Sequence, residues 1–334
     1  MIPLADTGFA EATWVLIVKS VVIFAVAFAI LPLLTVLERK LIGRFQNRYG
    51  PNRVGPFGIL QPLADVGKLV GKEPFRPQNA VATLYVIGPA LMVLSAVLAL
   101  AIIPFGDVKD GVGFYGLDVS IGILYFFAAG SIGFYGLLLG GWASGSKFSF
   151  LGAMRSAAQL ISYEVSMALA LLGVVMMAGS LSLVDIVRVQ GSDGIWFIVP
   201  QLVGFLIFMV AGFAETNRAP FDLPEADSEL VQGFMTEYGG MRFGTFLLVE
   251  YLEMTVVSGI AAAMFLGGWM GPGPGFLDPF WMAAKIFVLL CSFIWVRATL
   301  PRLRYDQLMS LGWKVLLPLA TLNVLVTAVL VVVT

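Results

Sequence analysis

Apolar runs close to the length that crosses a bilayer recur from one end of this chain to the other, and that repetition leaves little choice of fold. A helix needs roughly 20 apolar residues to cross the hydrocarbon core. Such windows lie near 14–37, 81–103, 119–141, 156–178, 195–213, 243–267, 279–296 and 311–333. Backbone groups inside lipid find no water, so each run is expected to be a helix that closes its own hydrogen bonds. The expectation is an all-α, polytopic membrane protein with about eight spans and a single transmembrane domain over residues 1–334. With 59% hydrophobic and only 12% charged residues, the composition excludes a soluble globular domain. The opening stretch, MIPLADTGFAEATW, lacks the basic region and small-residue cleavage site of a secretory signal, so the first run is expected to be a retained span.

Orientation follows from the basic residues. The loops at 38–80, 142–155, 214–242 and 297–314 hold sixteen of the 20 Lys and Arg. Positive charge collects on the cytoplasmic side, which places these four connections inside and both termini outside. The outer side and the spans hold Lys19, Lys109, Arg188 and Lys285. No internal repeat stands out, which counts against the usual architecture of a secondary transporter. Short glycine spacings such as Gly136 to Gly140 and Gly141 to Gly145 fit close helix packing.

Histidine is absent and Cys291 is the only cysteine. That removes the usual ligands for haem, zinc, copper and iron–sulfur clusters. Any electron transfer tied to this chain must use centres held by a partner, or a substrate that is itself redox-active. No nucleophile has a base beside it, no phosphate-binding loop is present, and no basic aromatic patch suggests nucleic acid.

What the sequence does carry is acid. Residues 214–242 set Glu215, Asp222, Glu225, Asp227, Glu229 and Glu237 against only Arg218 and Arg242. Neighbouring carboxylates taken out of water raise one another's pKa, so a shared proton is the natural result. Pro224 and Glu225 read as a helix start, with Glu225 and Glu229 on one face. A solvated acidic cap is the plainer reading of the same residues. Within the spans, Arg155, Gln159, Ser162 and Ser166 form a polar stripe, with Glu164 on roughly the opposite side. Glu250 and Glu253 lie three apart on neighbouring positions of the sixth span, and Lys285 lies in the seventh. A Glu253–Lys285 ion pair is one expectation, and Glu250, with no obvious cation, is the better proton-path candidate.

The first long loop begins with Glu38, Arg39 and Lys40 and then turns repeatedly at Gly50, Pro51, Gly55, Pro56 and Gly58. Beyond the turns, Ile59, Leu63, Val66 and Val70 repeat at helical spacing opposite Gln61, Asp65, Lys68 and Lys72. An amphipathic helix along the membrane surface is expected. It serves either as a solvated connector or as the wall of an entrance for a lipid-soluble substrate. In the last cytoplasmic loop, Arg297, Arg302, Arg304 and Asp306 read either as a topogenic signal with headgroup contact or as a docking surface.

Four strings, ERKLIGRFQNRYGPNRVGPFGILQPLADVGKL (38–69), RSAAQLISYEVSMAL (155–169), AETNRAPFDLPEADSELVQGFMTEYGGM (214–241) and VRATLPRLRYDQLM (296–309), together carry a resemblance. They resemble the family of the H-type membrane subunit (mitochondrial subunit one) of proton-pumping NADH:quinone oxidoreductase, respiratory complex I. The resemblance implies a helical subunit where the membrane arm meets a peripheral arm that holds flavin and iron–sulfur clusters. It implies quinone as substrate, with no metal or flavin on this chain. The implied partners are those peripheral-arm subunits, neighbouring proton-pumping membrane subunits, quinone and lipid, and the implied location is the bacterial cytoplasmic membrane. By the same resemblance, Arg39, Arg48, Asp65, Lys68 and Glu73 match quinone-chamber and junction positions. Glu164, Glu215, Asp222, Glu225, Glu229 and Glu250 match an acidic path toward the pumping subunits. Two rivals stand beside this reading: the related membrane subunit of a membrane-bound hydrogenase or ferredoxin-linked complex, and an independent ion transporter.

Overall fold

The computed structural model describes residues 13–109, 112–224 and 230–333. Among these, seven helices are long and apolar enough to cross a membrane, and an eighth, Leu202–Glu215, is apolar but shorter. In chain order the principal helices are α1 (Thr13–Phe45), α2 (Gln61–Gly71), α3 (Ala82–Ala101), α4 (Gly122–Ala143), α5 (Lys147–Ala178), α6 (Leu183–Asp193), α7 (Leu202–Glu215), α8 (Met241–Phe265), α9 (Asp278–Thr299), α10 (Tyr305–Leu311) and α11 (Leu317–Val333). A five-residue π-helical turn at Gly312–Leu316 joins α10 to α11. The chain is a multi-pass membrane protein.

The spans follow the apolar windows, with physical reasons where they differ. α1 continues to Phe45, carrying Glu38, Arg39 and Lys40 on the same helix as the apolar run. α5 begins at Lys147, nine residues before its window, because 147–155 has no proline and its Leu151, Ala153, Met154 and Arg155 favour helix around Gly152. The fifth window is helical only from Leu202, and at 14 residues α7 is about 21 Å long, short of the bilayer core.

A strand pair and a short helix, neither expected from the sequence, lie between the spans. An antiparallel hairpin pairs β1 (Pro104–Lys109) with β2 (Val112–Tyr115), and α6 follows α5. They meet at one end of the bundle, where Arg188 of α6 pairs with Asp107 of β1 at 2.7 Å. Ser182 caps α6 by accepting from the Asp185 amide, and its hydroxyl donates to Asp118.

α8 lies at the centre of the bundle, with 67% of its most apolar window buried against 17% for α1 and for the last span. α3 and α4 approach closely through glycine. A Cβ on Gly88 would lie 2.7 Å from the Gly140 Cα and 3.0 Å from the Gly136 carbonyl oxygen, so only a glycine face permits this spacing. Gly145, by contrast, sits in a turn at φ +72°. Gly173 and Gly204 leave room for the Gln201 amide, which donates to Thr327 Oγ1 at 2.7 Å and accepts from Asn323 Nδ2 at 2.8 Å. That amide ties the start of α7 to α11.

Candidate functional site

The site begins with one acid at the end of an apolar stripe. On α1, Leu31 and Leu34 face the core, and Glu38 continues that face one turn on, 4% exposed. A carboxylate held there needs compensation, since an unpaired buried charge is far more costly than a paired one. Arg218, from the segment after α7, supplies it: Nη1 donates to Glu38 Oε2 at 2.6 Å, and Nε forms an ion pair with Glu250 of α8. Arg297, near the end of α9, pairs with the other Glu38 oxygen. The Arg218 guanidinium also lies over the Tyr251 ring, 4.3 Å from its centroid. Two carboxylates and two guanidiniums thus form a neutral cluster that joins three helices and a loop. Burial opposes the charge on Arg218, but Glu250 and Glu38 outweigh it and hold the guanidinium protonated more firmly than an ordinary arginine.

Glu250 therefore has a cation, contrary to the expectation from sequence; the partner comes from 32 residues earlier in the chain and is invisible to helical spacing. The expected Glu253–Lys285 pair is also not what forms. The Lys285 ammonium donates to the carbonyls of Gly268 and Met270 at 2.8 and 2.7 Å and lies over the Trp196 ring. It closes the turn after α8, at the opposite end of that helix from Glu250. An ammonium carries three donors, and the carbonyls of this turn accept them without any carboxylate.

Glu253 follows Glu250 by one turn on the same face of α8 and opens into a small cavity with Glu215, Asn217, Ser95, Gly130 and Gly133. This cavity measures about 40 Å³. A second, of about 20 Å³, is lined by Glu250, Glu253, Thr216 and Asn217. Glu215, the last residue of α7, has a buried Oε2 without a hydrogen-bond partner among the described residues. The polar stripe of α5 holds the scaffold: Gln159 Nε2 donates to the carbonyls of Ala214 and Phe221 at 2.7 and 3.0 Å and to Asn217 Oδ1 at 3.3 Å. Ser156 Oγ donates to the same Asn217 oxygen at 3.2 Å.

In the first loop, the surface helix forms as α2, and Arg39 reaches back from α1 to Asp65 at 2.8 Å. Leu63, Val66 and Val70 of α2 are exposed. Arg48, Lys68 and Glu73 are also exposed and do not join the Arg39–Asp65 pair; Arg48 Nε donates to Gln46 at 2.8 Å. Asp222 faces Arg302 at 3.9 Å, linking the acidic segment to the last loop, where the Leu303 amide also donates to the Pro220 carbonyl. Glu225, Asp227 and Glu229 lie outside the described residues. Tyr238 stacks on Tyr85 with centroids 4.2 Å apart and donates to the Gly140 carbonyl, while Tyr85 donates to the Glu237 carbonyl at 2.6 Å. Burial pushes the Tyr238 hydroxyl up, so it stays a donor.

Of the acids singled out from the sequence, Glu215 and Glu250 line the two cavities; Glu38, Arg218, Arg297 and Asn217, which surround them, were passed over as site residues. For Glu38 a signal existed: it continues the Leu31, Leu34 stripe at helical spacing. For Arg297 the positive-inside pattern offered a sufficient explanation that hid the structural one.

A sequence profile of the family described as NADH dehydrogenase matches residues 18–328. The second H-type NADH-quinone oxidoreductase subunit of Syntrophobacter fumaroxidans is 52% identical over 321 residues, covering 94% of this chain and 95% of that relative. The protein of the same name from Geobacter sulfurreducens is 52% identical over 314 residues, covering 92% and 94%. The H-type subunit from Rhodospirillum rubrum is 46% identical over 329 residues, covering 96% and 95%. The chain belongs to the NADH dehydrogenase family, among the H-type membrane subunits of NADH-quinone oxidoreductase.

Proposed function

We propose that this chain is the membrane subunit of an NADH:quinone oxidoreductase that forms part of the quinone-access chamber and couples quinone reduction to proton translocation. The observation that carries the reading is the Glu38–Arg218–Glu250–Arg297 cluster, buried at Glu38 and Arg218, adjoined by small cavities that Glu250, Glu253 and Glu215 line. Glu38 and Arg218, paired out of reach of water, are sensitive to any charge that arises beside them.

Peripheral-arm subunits supply the electrons from their flavin and iron–sulfur clusters, and neighbouring membrane subunits complete the pump. Quinone becomes quinol by gaining two electrons, which clusters in the peripheral arm would deliver one at a time, and two protons. Arg39 and Asp65, paired at the foot of α1, stand at the chamber, and the apolar residues of α2 face the isoprenoid tail or lipid. Arg48, Lys68 and Glu73, exposed in this chain, meet the junction with the peripheral arm. The cavities beside the acids admit water and not a quinone ring, so the chamber takes its remaining walls from partners.

The acidic path runs through Glu250, Glu215 and Glu164, with Asp222, Glu225 and Glu229 on the loop that connects it to the chamber. The charge that develops as quinone is reduced changes the balance of the Arg218 cluster and moves protons along these acids. The chain lies in the bacterial cytoplasmic membrane with the 38–80, 142–155, 214–242 and 297–314 loops inside and both termini outside.

The test uses the intact complex with three readouts: NADH oxidation by a water-soluble acceptor, NADH:quinone reduction, and proton pumping in vesicles. Arg39→Ala and Glu250→Gln are expected to spare the first and to depress the other two. Equal loss of all three marks an assembly defect, and full quinone reduction with full pumping in both variants overturns the proposal.

A further inference from the structure

Glu253 is a membrane-embedded acid with no cation of its own among the described residues, because Lys285 is engaged at the other end of α8 and Arg218 pairs with Glu38 and Glu250. An acid at such depth is costly unless it is protonated or hydrated. Glu250 and Glu253 lie about 14 and 18 Å along α8 from its first residue, one turn apart on one face. The residues lining both cavities are Met92, Asn217 and Glu253, and only Glu253 among these is an acid. Glu215 opens on the first cavity, and Glu250 on the second.

We propose that Glu253 is the proton-carrying link between Glu250 and Glu215, exchanging protons with each through water held in the two cavities. The inference rests on the functional reading above and adds a residue that the acidic path did not contain. The volumes fit: at about 10–15 Å³ of cavity space per water, the cavities of about 40 and 20 Å³ hold roughly three and one waters. Their linings supply the polar partners such waters need. Glu215 Oε2, buried without a protein partner among the described residues, accepts from one of them. Asn217 Oδ1 is occupied by Gln159 and Ser156, which leaves its amide NH2 to donate toward the cavities. Gln159 and Ser156 are thus positioning residues for the water that Asn217 holds.

α4 keeps the route open. Gly130 and Gly133 sit one turn apart, and a Cβ on them would lie 3.8 Å from Glu215 Oε1 and 3.9 Å from Glu253 Oε1 respectively. The two carboxylates therefore face the same glycine edge of α4, where any larger side chain would take the space of the water. Each transfer breaks one O–H bond on the donor carboxyl, passes the proton through water, and forms one O–H bond on the acceptor carboxylate. No other reactant is required, and charge is conserved at each step.

The test uses the intact complex in membrane vesicles and four variants. Glu253→Gln keeps size and hydrogen bonding but cannot carry the proton. It should assemble, keep NADH oxidation by a water-soluble acceptor, and lose quinone-linked pumping about 100-fold, the low end of the cost of removing a positioned proton donor. Glu253→Asp, which keeps the carboxyl, should recover part of the loss, and a merely structural role predicts no such recovery. Gly130→Leu crowds the first cavity without removing any carboxyl group, and should reproduce the defect of Glu253→Gln. Glu215→Gln reports on the functional reading itself. Wild-type pumping in both Glu253→Gln and Gly130→Leu, with a defect in Glu215→Gln, overturns the link and spares that reading. Wild-type pumping in all of them overturns both. Should Glu253→Gln fail to assemble, Gly130→Leu decides alone: full pumping there removes the water route.

Discussion

Arg218 donates to Glu38 at 2.6 Å across 180 residues of chain, and both side chains are shut away from solvent. The pair fixes the end of α1 against the segment that leaves α7, and Glu250 and Arg297 complete it from α8 and α9. Removing one member of a buried pair costs roughly 3–5 kcal/mol because the other charge is stranded. Arg218→Met leaves two carboxylates without their shared cation, and the variant subunit should fail to accumulate in membranes, measured by immunoblot of the assembled complex. Arg218→Lys keeps the charge but not the fork that spans both acids. It should assemble with lowered thermal stability and reduced quinone-linked activity; wild-type behaviour of both variants would show that the cluster is dispensable.

The glycine contact between α3 and α4 is a matter of distance. With 2.7 Å between a hypothetical Gly88 Cβ and the Gly140 Cα, even alanine forces the helices apart. Gly88→Leu should abolish assembly, whereas Gly71→Ala, where a Cβ meets nothing within 4 Å, should be neutral or mildly stabilising. Yield of the purified complex separates the two.

The Gln201 amide bonds α11 through Thr327 and Asn323. Hydrogen bonds between membrane helices average about 0.6 kcal/mol and reach about 1.7. Gln201→Ala also leaves a void beside Gly173 and Gly204, so its loss should lie near the upper figure. Thermal unfolding of the complex should shift down while quinone reduction at low temperature is unchanged.

Lys285 offers a contrast with the acids. Its ammonium bonds two carbonyls at the turn after α8, and charged hydrogen bonds of this kind contribute roughly 1.5–3 kcal/mol. Lys285→Met should destabilise that turn, seen as faster protease cleavage near 266–277, with pumping retained. A pumping defect equal to that of Glu250→Gln would instead place Lys285 on the proton route.

The spans were legible because lipid imposes one rule on every residue of a helix, and a window of apolar residues records it. α7 was placed but drawn too long, since Trp196 to Pro200 is as apolar as the helix that follows although its backbone turns. The strands β1 and β2 and the helix α6 were not legible: each is short, and contacts such as Arg188–Asp107 that hold them join distant stretches of chain. The same holds within the site. Glu250 and Glu253 are adjacent by helical spacing, but the cation that one of them takes comes from a loop, and the competing claim of two carbonyls on Lys285 is a tertiary fact. Arg39 and Asp65 could be proposed from family likeness, and their 2.8 Å contact is what the fold adds.

The central claim is that buried carboxylates of this chain change protonation when quinone is reduced. Infrared difference spectroscopy of the intact complex, recorded between oxidised and reduced quinone, measures that directly. The account predicts carboxyl bands that respond to reduction and that diminish in Glu250→Gln and Glu215→Gln complexes with normal NADH oxidation. A difference spectrum identical in the wild type and both variants would contradict it.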